Sequence, residues 1–237
     1  MITPISNNNP NFRAFRTTIK NSSGQVINRG DTYLFRIDFD FKNFIKYICN
    51  KYKNVSKVNF IAHACSDGEE IYSVISYLIN TVGENNAQKF FPIAARDIES
   101  SHIEQAKNGL YKVFSYDRAG IDFYLGDNFY DYFTKISDTE VSAKNIMKNH
   151  VKFSQSNILD DVNLINFDNT ILLARNCWHY LGEDKIDILA RKLGNKMNES
   201  STLVIGDYDK QYNVDKILNQ YGLTESKFVE NLFEKNK

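Results

Sequence analysis

The patterning of this chain predicts an α/β fold with a mostly parallel sheet covered on both faces. Three runs, KVNFIAHAC (57–65), KFFPIAAR (89–96) and TILLARN (170–176), are apolar almost without interruption instead of alternating. Strands buried on both faces read this way, and sheets of that kind are parallel. Between these runs lie segments with apolar residues at helical spacing, so strand and helix alternate along the chain. At 237 residues there is room for one large domain with a sizeable core.

In chain order, residues 1–11 are Asn-rich and carry no periodic pattern. FRAFRTTI and VINRGDTYLFR flank the turn-like KNSSGQ, which predicts a hairpin in an N-terminal extension, 1–30, ahead of a main domain, 31–237. FDFKNFIKYICNKYKN sets Phe41, Phe44, Ile45 and Ile48 on one face of a helix, its Lys and Tyr residues forming the solvated side. After the first strand, EEIYSVISYLINTV is helical, with apolar residues at 71, 74, 75 and 78. After the second, ESSHIEQAKNGLY opens on a Ser cap and stops at Gly109. DNFYDYFTKI (127–136) predicts a helix, and a strand is expected near 149–155. LGEDKIDILARKLGNK reads as a helix and STLVIGDYD as a further strand. The stretch 112–150 breaks the alternation and is expected to be an insert.

Lys plus Arg and Asp plus Glu are 29 each, so the formal net charge is zero. A dedicated nucleic-acid binder would carry a basic excess, and that class is set aside. Cys49, Cys65 and Cys177 are odd in number and far apart, which excludes a disulfide framework and points to a reducing compartment. The start of the chain has no apolar signal region, and no run of about 18 apolar residues occurs. The expectation is a cytoplasmic protein without membrane insertion.

In an open parallel sheet, ligands bind outside the carboxyl ends of the strands. The informative residues therefore follow each strand: Ala64-Cys-Ser-Asp-Gly-Glu-Glu70, then Arg96-Asp97-Ile98, then Arg175-Asn-Cys-Trp-His-Tyr180. Gly68 stands at the tightest point of the first loop, where a missing Cβ lets backbone approach a ligand. The arrangement is not GxGxxG, which disfavours a dinucleotide, and Asp67, Glu69 and Glu70 would repel phosphates. They suit a cation. Asp97, at the end of the second strand, has the chemistry to accept hydrogen bonds from ribose hydroxyls, the alternative being that it only caps the next helix. S-Adenosylmethionine is a ribose-bearing, phosphate-free cation of the required kind.

Other signals are blander. His63, Cys65, Cys177 and His179 lack zinc-ligand spacing, neither Cys has an assigned base that would make it a nucleophile, and Trp178 reads as core rather than as a stacking platform.

The order of motifs resembles the chemotaxis-receptor (CheR-type) glutamate methyltransferases from about residue 30 to 206. GDTYLFR (30–36) is similar to a T-x-FFR segment, and ACSDGEEIYS (64–73) to A-x-S-T-G-E-E-P-Y-S. ARDIESSHIEQAKNGLY (95–111) resembles A-T-D-I…A-R-x-G-x-Y, VKFSQSNIL (151–159) resembles V-x-F-x-x-x-N-L-L, and ARNCWHYL (174–181) resembles C-R-N-V-L-I-Y-F. Ile71 replaces the family's Pro, Arg96 its Thr, and Cys-Trp-His an apolar trio. The resemblance implies a seven-strand, Rossmann-like class I methyltransferase sheet with a small inserted β-subdomain. Only about 30 residues precede the first block, so the family's preceding helical domain is expected to be absent or reduced.

It further implies that Thr32, Arg36, Cys65, Gly68, Glu69, Asp97, Ile98, Asn157, Ile158, Arg175 and Asn176 line the cofactor pocket. Arg36 and Tyr180 would face the transferred methyl and the substrate carboxylate. The implied reaction is S-adenosylmethionine-dependent O-methylation of glutamate side chains in a protein, a chemoreceptor in the family's case, releasing S-adenosylhomocysteine; no metal is implied. The alternatives are a different protein or small-molecule acceptor, or a non-catalytic module that binds the cofactor or its product.

Overall fold

A computed structural model describes residues 32–236 and, ahead of them, the backbone of two short strands, Thr18–Lys20 and Val26–Asn28. Those two strands pair antiparallel with Ile19 opposite Ile27. The chain divides into two compact units, Met1–Asp31 and Thr32–Lys237. FRAF (12–15) lies outside the described residues, and TYLFR (32–36) forms turns instead of a strand.

In the second unit, α1 (Phe41–Lys51) starts at Asp40, whose carboxylate accepts from Asn43 N–H. Its four apolar positions, Phe41, Phe44, Ile45 and Ile48, are all buried. Then follow β1 (Asn59–His63), α2 (Glu69–Val82), β2 (Ile93–Asp97), α3 (Ser100–Asn108) and α4 (Ser115–Tyr124). The second half holds β3 (Val151–Gln155), β4 (Thr170–Leu173), α5 (Glu183–Lys196), β5 (Thr202–Val204), α6 (Val214–Gln220), β6 (Leu223–Glu225) and β7 (Leu232–Lys235). The seven strands form one sheet in the order β6-β7-β5-β4-β1-β2-β3. Only β7 runs against the rest, antiparallel to both β5 and β6.

Side chains alternate across the strands and so divide the core in two. Phe60, Ala62, Ile93, Ala95, Ile171, Leu173 and Val204 pack with α1 and α2 on one face. Ile61, Leu172 and Leu203 pack with Ile186, Leu189 and Leu193 of α5 and Leu218 of α6 on the other. Each large apolar side chain buried this way contributes roughly 1.5–3 kcal/mol. Trp178 is fully buried in the second cluster, its indole N–H donating to Ala174 O at 2.9 Å, so the core reading of this residue holds.

Further local expectations fail: the run 89–96 begins in a 3-10 turn, Gln88–Phe90, and is a strand only from Ile93. The 127–136 segment is helical up to Tyr132, as a 3-10 turn (Gly126–Asn128) followed by an α-helical turn (Phe129–Tyr132), but Phe133–Lys135 then leaves as a strand. It pairs with Glu140–Ala143, which also pairs with Leu110–Lys112, in a separate three-stranded sheet. Aromatic residues tolerate either state, and strand pairing decides between them. At the start of α3 no Ser caps the helix; Asp97 Oδ1 accepts Glu99 N–H at 3.0 Å instead.

The chain runs from β1 outward through β2 to β3, then returns to place β4 on the other side of β1. That reversal opens a crevice beyond the carboxyl ends of β1 and β4. Residues 32–40 reach this end of the sheet through turns, with Leu34, Phe35 and Phe39 buried. Phe35 N–H donates to Ser73 Oγ of α2 at 2.9 Å. On the other side, a Cβ on Gly120 of α4 would overlap the Phe35 carbonyl. Phe35 itself has φ 51°, an unusual conformation for a bulky residue, and is held there from both sides.

Candidate active site

The loop after β1 is shaped by three left-handed residues, Ala64 (φ 54°), Ser66 (φ 48°) and Gly68 (φ 92°). Asp97, buried at the end of β2, fixes it: Oδ2 accepts Ser66 N–H at 2.8 Å while Oδ1 accepts Glu99 N–H. Each carboxylate oxygen has a second lone pair, so these bonds leave capacity for hydroxyl donors. The space around Gly68 differs from the sequence expectation. A Cβ there would meet Ala106, Phe153 and Tyr111 at 3.0–3.2 Å, so glycine is required by positive φ and by packing against protein.

Glu69 opens α2. Thr32 hydrogen-bonds its carboxyl, yet Glu69 Oε2 is buried without a hydrogen-bond partner among the described residues. Burial, reinforced by the charge of Asp67, pushes its pKa up to about 8. Asp67 is held by His102 at 2.6 Å, and Tyr111 donates to its backbone carbonyl at 2.8 Å. A buried acid with one unsatisfied oxygen, beside further carboxylates, fits a ligand bearing an ammonium or sulfonium charge.

Beyond β4, Arg175 is almost wholly buried and occupied by protein groups. It pairs with Glu70, donates to Asp38 O at 2.9 Å and lies 4.1 Å above the Phe39 ring. Asn176, at φ 53°, sends its amide to Asp38 Oδ2 at 3.3 Å and accepts Tyr208 N–H at 3.2 Å. Arg36 makes a two-pronged ion pair with Asp38, Nε to Oδ1 at 2.9 Å and Nη2 to Oδ2 at 2.8 Å. Burial disfavours both charges, but the paired hydrogen bonds outweigh it, raising the Arg36 pKa and lowering that of Asp38. Arg175 and Asn176 thus tie the 36–39 turn to the strand ends.

One residue absent from the sequence reading organises this loop. Asp209 is fully buried and collects three backbone N–H groups: Asn176 (2.7 Å), Gly206 (2.8 Å) and Trp178 (3.0 Å). The signal for it was an Asp three residues past a strand-ending Gly, where a carboxylate bonds the backbone of its own turn.

The remaining positions follow the carboxyl ends of β2, β3 and β4 in the sequence. Asn157 caps a single helical turn by accepting Leu159 N–H at 2.9 Å, and Ser156 N–H reaches Asp97 O at 2.8 Å, joining the end of β3 to that of β2. Ile98 is exposed, whereas Ile158 is buried in the second core cluster. Tyr180 sits half exposed on the turn Trp178–Tyr180 that follows Asn176. Cys65 and Cys177 are buried thiols, pushed well above their ordinary pKa by burial, which makes neither a nucleophile. His63 lies 3.3 Å from Asp161, and among the described residues no three His, Cys, Asp or Glu gather as metal ligands. The Gly68 loop, Asp97 and the 175–176 pair therefore converge through direct contacts, Ser66 with Asp97 and Glu70 with Arg175.

Residues 30–226 match the family described as CheR methyltransferase, SAM binding domain. The chain belongs to that family. Like its CheR relatives it is an S-adenosylmethionine-dependent methyltransferase, and its sheet is the class I methyltransferase sheet. It is 26% identical over 211 residues to a chemotaxis protein methyltransferase of Borreliella burgdorferi, covering 83% of this chain and 72% of that one. A protein of the same name from Campylobacter jejuni is 27% identical over 197 residues, with 81% and 68% covered. Among solved structures, an O-methyltransferase family protein from Burkholderia thailandensis aligns with a TM-score of 0.44 at 10% identity, over 82% of this chain and 55% of that one. No described helix is long and apolar enough to cross a membrane.

Proposed function

We propose that this CheR-family chain transfers the cofactor's methyl group to a carboxylate on a protein, the acceptor being a glutamate side chain of a chemoreceptor. The observation that carries this reading is the Arg36 guanidinium, close to Glu70 and on the turn tied to Arg175 and Asn176. The relatives named as chemotaxis methyltransferases support the receptor as partner.

Glu69 and Thr32 would hold the cofactor's ammonium end, Asp97 its ribose, and Asn157, Ile158 and Ile98 its adenine side. Cys65, Gly68, Arg175 and Asn176 would act through backbone and loop shape. When bound, S-adenosylmethionine supplies an electrophilic methyl on sulfur. A carboxylate is already a nucleophile at neutral pH, so the chain needs no general base. Its task is to orient the acceptor and exclude water, and positioning of that kind is worth roughly 7–11 kcal/mol at best. Arg36 is suited to grip one carboxylate oxygen while the other points at the methyl, with Tyr180 lining the approach.

The test is methyl labelling of a chemoreceptor signalling domain with tritiated cofactor. Base-labile label on glutamate is expected; label absent, or stable to base, would sink the carboxylate assignment.

Glu69 gives a second expectation. With a pKa near 8, its carboxyl is largely protonated at neutral pH without ligand, and a bound ammonium stabilises the carboxylate. Binding of S-adenosylhomocysteine should therefore release a proton and tighten as pH rises from about 6 to 8. Calorimetry in buffers of different ionisation enthalpy reads that proton directly. The release should vanish in Glu69→Gln, and a wild-type enthalpy independent of buffer would exclude the assignment.

A further inference from the structure

The charge on Arg36 poses a problem that its partner solves. In the proposed reaction a carboxylate oxygen lone pair forms the new C–O bond while the methyl–sulfur bond breaks onto sulfur, and no proton moves. The acceptor's negative charge disappears along this path, so a bare guanidinium at the acceptor would stabilise the starting state more than the transition state. Binding gained that way lowers KM and kcat together.

Resting on the carboxylate reading above, we propose that Asp38 is a positioning residue that offsets the charge of Arg36, letting the guanidinium orient an incoming carboxylate without over-binding it. Asp38 takes the Nε–Nη2 edge of the fork at 2.9 and 2.8 Å, which fixes the plane of the guanidinium. Its Oδ2 also receives Asn176 Nδ2 at 3.3 Å and lies 3.7 Å from Arg175 Nη2, while its carbonyl accepts Arg175 Nη2 at 2.9 Å. The aspartate is thereby held from three sides and cannot swing away when substrate arrives. The Arg36 and Asp38 side chains are only 16% and 26% exposed, so the pair sits where water screens it less than on an open surface. An acceptor approaching Arg36 then meets a guanidinium whose charge is partly offset by a carboxylate held in place. Geometry is retained and excess attraction is removed.

A residue with a purely structural task would weaken substrate binding when replaced. Charge offset makes the opposite demand, which separates the two. The probe is a helical peptide bearing paired glutamates, its binding measured by anisotropy with S-adenosylhomocysteine present and its turnover with labelled cofactor. Asp38→Asn and Asp38→Ser should each bind the peptide about tenfold more tightly and lower kcat by a similar factor, leaving kcat/KM nearly constant. Affinity for S-adenosylhomocysteine should stay within about twofold, and Asp38→Glu, which keeps the charge, should return KM and kcat toward wild type. Unchanged or weaker peptide binding in both neutral variants overturns the proposal, as does loss of the folded state in both, since the contact would then be structural. A wild-type protein that binds S-adenosylhomocysteine but puts no base-labile methyl on the peptide overturns the carboxylate reading itself, and the role of Asp38 with it.

Discussion

Asp97→Ala is expected to reduce affinity for S-adenosylhomocysteine at least about 100-fold, with the largest loss of any single side-chain truncation in the crevice. Two costs add. The first is the ribose contact assigned to this carboxylate; hydrogen bonds to a charged group contribute about 1.5–3 kcal/mol each. The second is architectural. Ser66 N–H (2.8 Å) and Glu99 N–H (3.0 Å) both end on Asp97, so alanine leaves two backbone donors without partners at the edge of the pocket. The φ 48° of Ser66 is maintained partly by that bond, and without it the 64–68 loop has reason to relax. Asp97→Asn separates the two costs. Its oxygen still accepts one N–H, but its amide nitrogen faces the other donor, so intermediate affinity is expected. Calorimetry on the three proteins, with melting curves to confirm folding, provides the comparison. Wild-type affinity in Asp97→Ala would remove the ribose assignment.

The sheet was legible because its strands announce themselves: KVNFIAHAC, TILLARN and STLVIG are apolar on both faces, and each contains the observed strand. The helices packed on it were equally visible, since Ile71, Val74, Ile75 and Leu78 are all buried as their spacing requires. Segments whose state depends on a partner were not. Phe133 becomes a strand residue only because Ala143 lies opposite, and Leu223–Glu225 with Leu232–Lys235 are too short to show a period. The site divides in the same way. Asp97 and Glu69 could be proposed from their places after a strand and within a motif. Asp38 as a hub was not visible, because Asn176 and Arg175 stand 138 and 137 residues away. Asp209 was missed because its acceptor role depends on the fold bringing the 176–178 backbone to it.

Gly206→Ala should be the most damaging single methyl that the second half of the chain can receive. Gly206 has φ −98°, which any residue adopts, so backbone freedom does not explain it. The reason is space: a Cβ would overlap the Asn176 side-chain amide and stand 2.7 Å from Asn176 N. Neither atom is at liberty to move. Asn176 N–H is bonded to Asp209, its side-chain oxygen accepts Tyr208 N–H, and its amide reaches Asp38. Overpacking against a rigid neighbour costs about 1–3 kcal/mol or more, and here part of the Asp209 network goes with it. For a domain of this size about 3 kcal/mol corresponds to a fall in Tm of roughly 6–12 °C. Activity should fall further than stability, because the same displacement releases Asp38 from Asn176 and loosens the turn that carries Arg36. Pairing Gly206→Ala with Asn176→Ala clears the side-chain overlap but leaves the backbone contact. The double variant should therefore regain part of the Tm and little of the turnover, a non-additivity expected of residues that share one contact. Strict additivity in Tm would mean that the two residues do not press on each other, and that the loop after β4 is held by Asp209 alone.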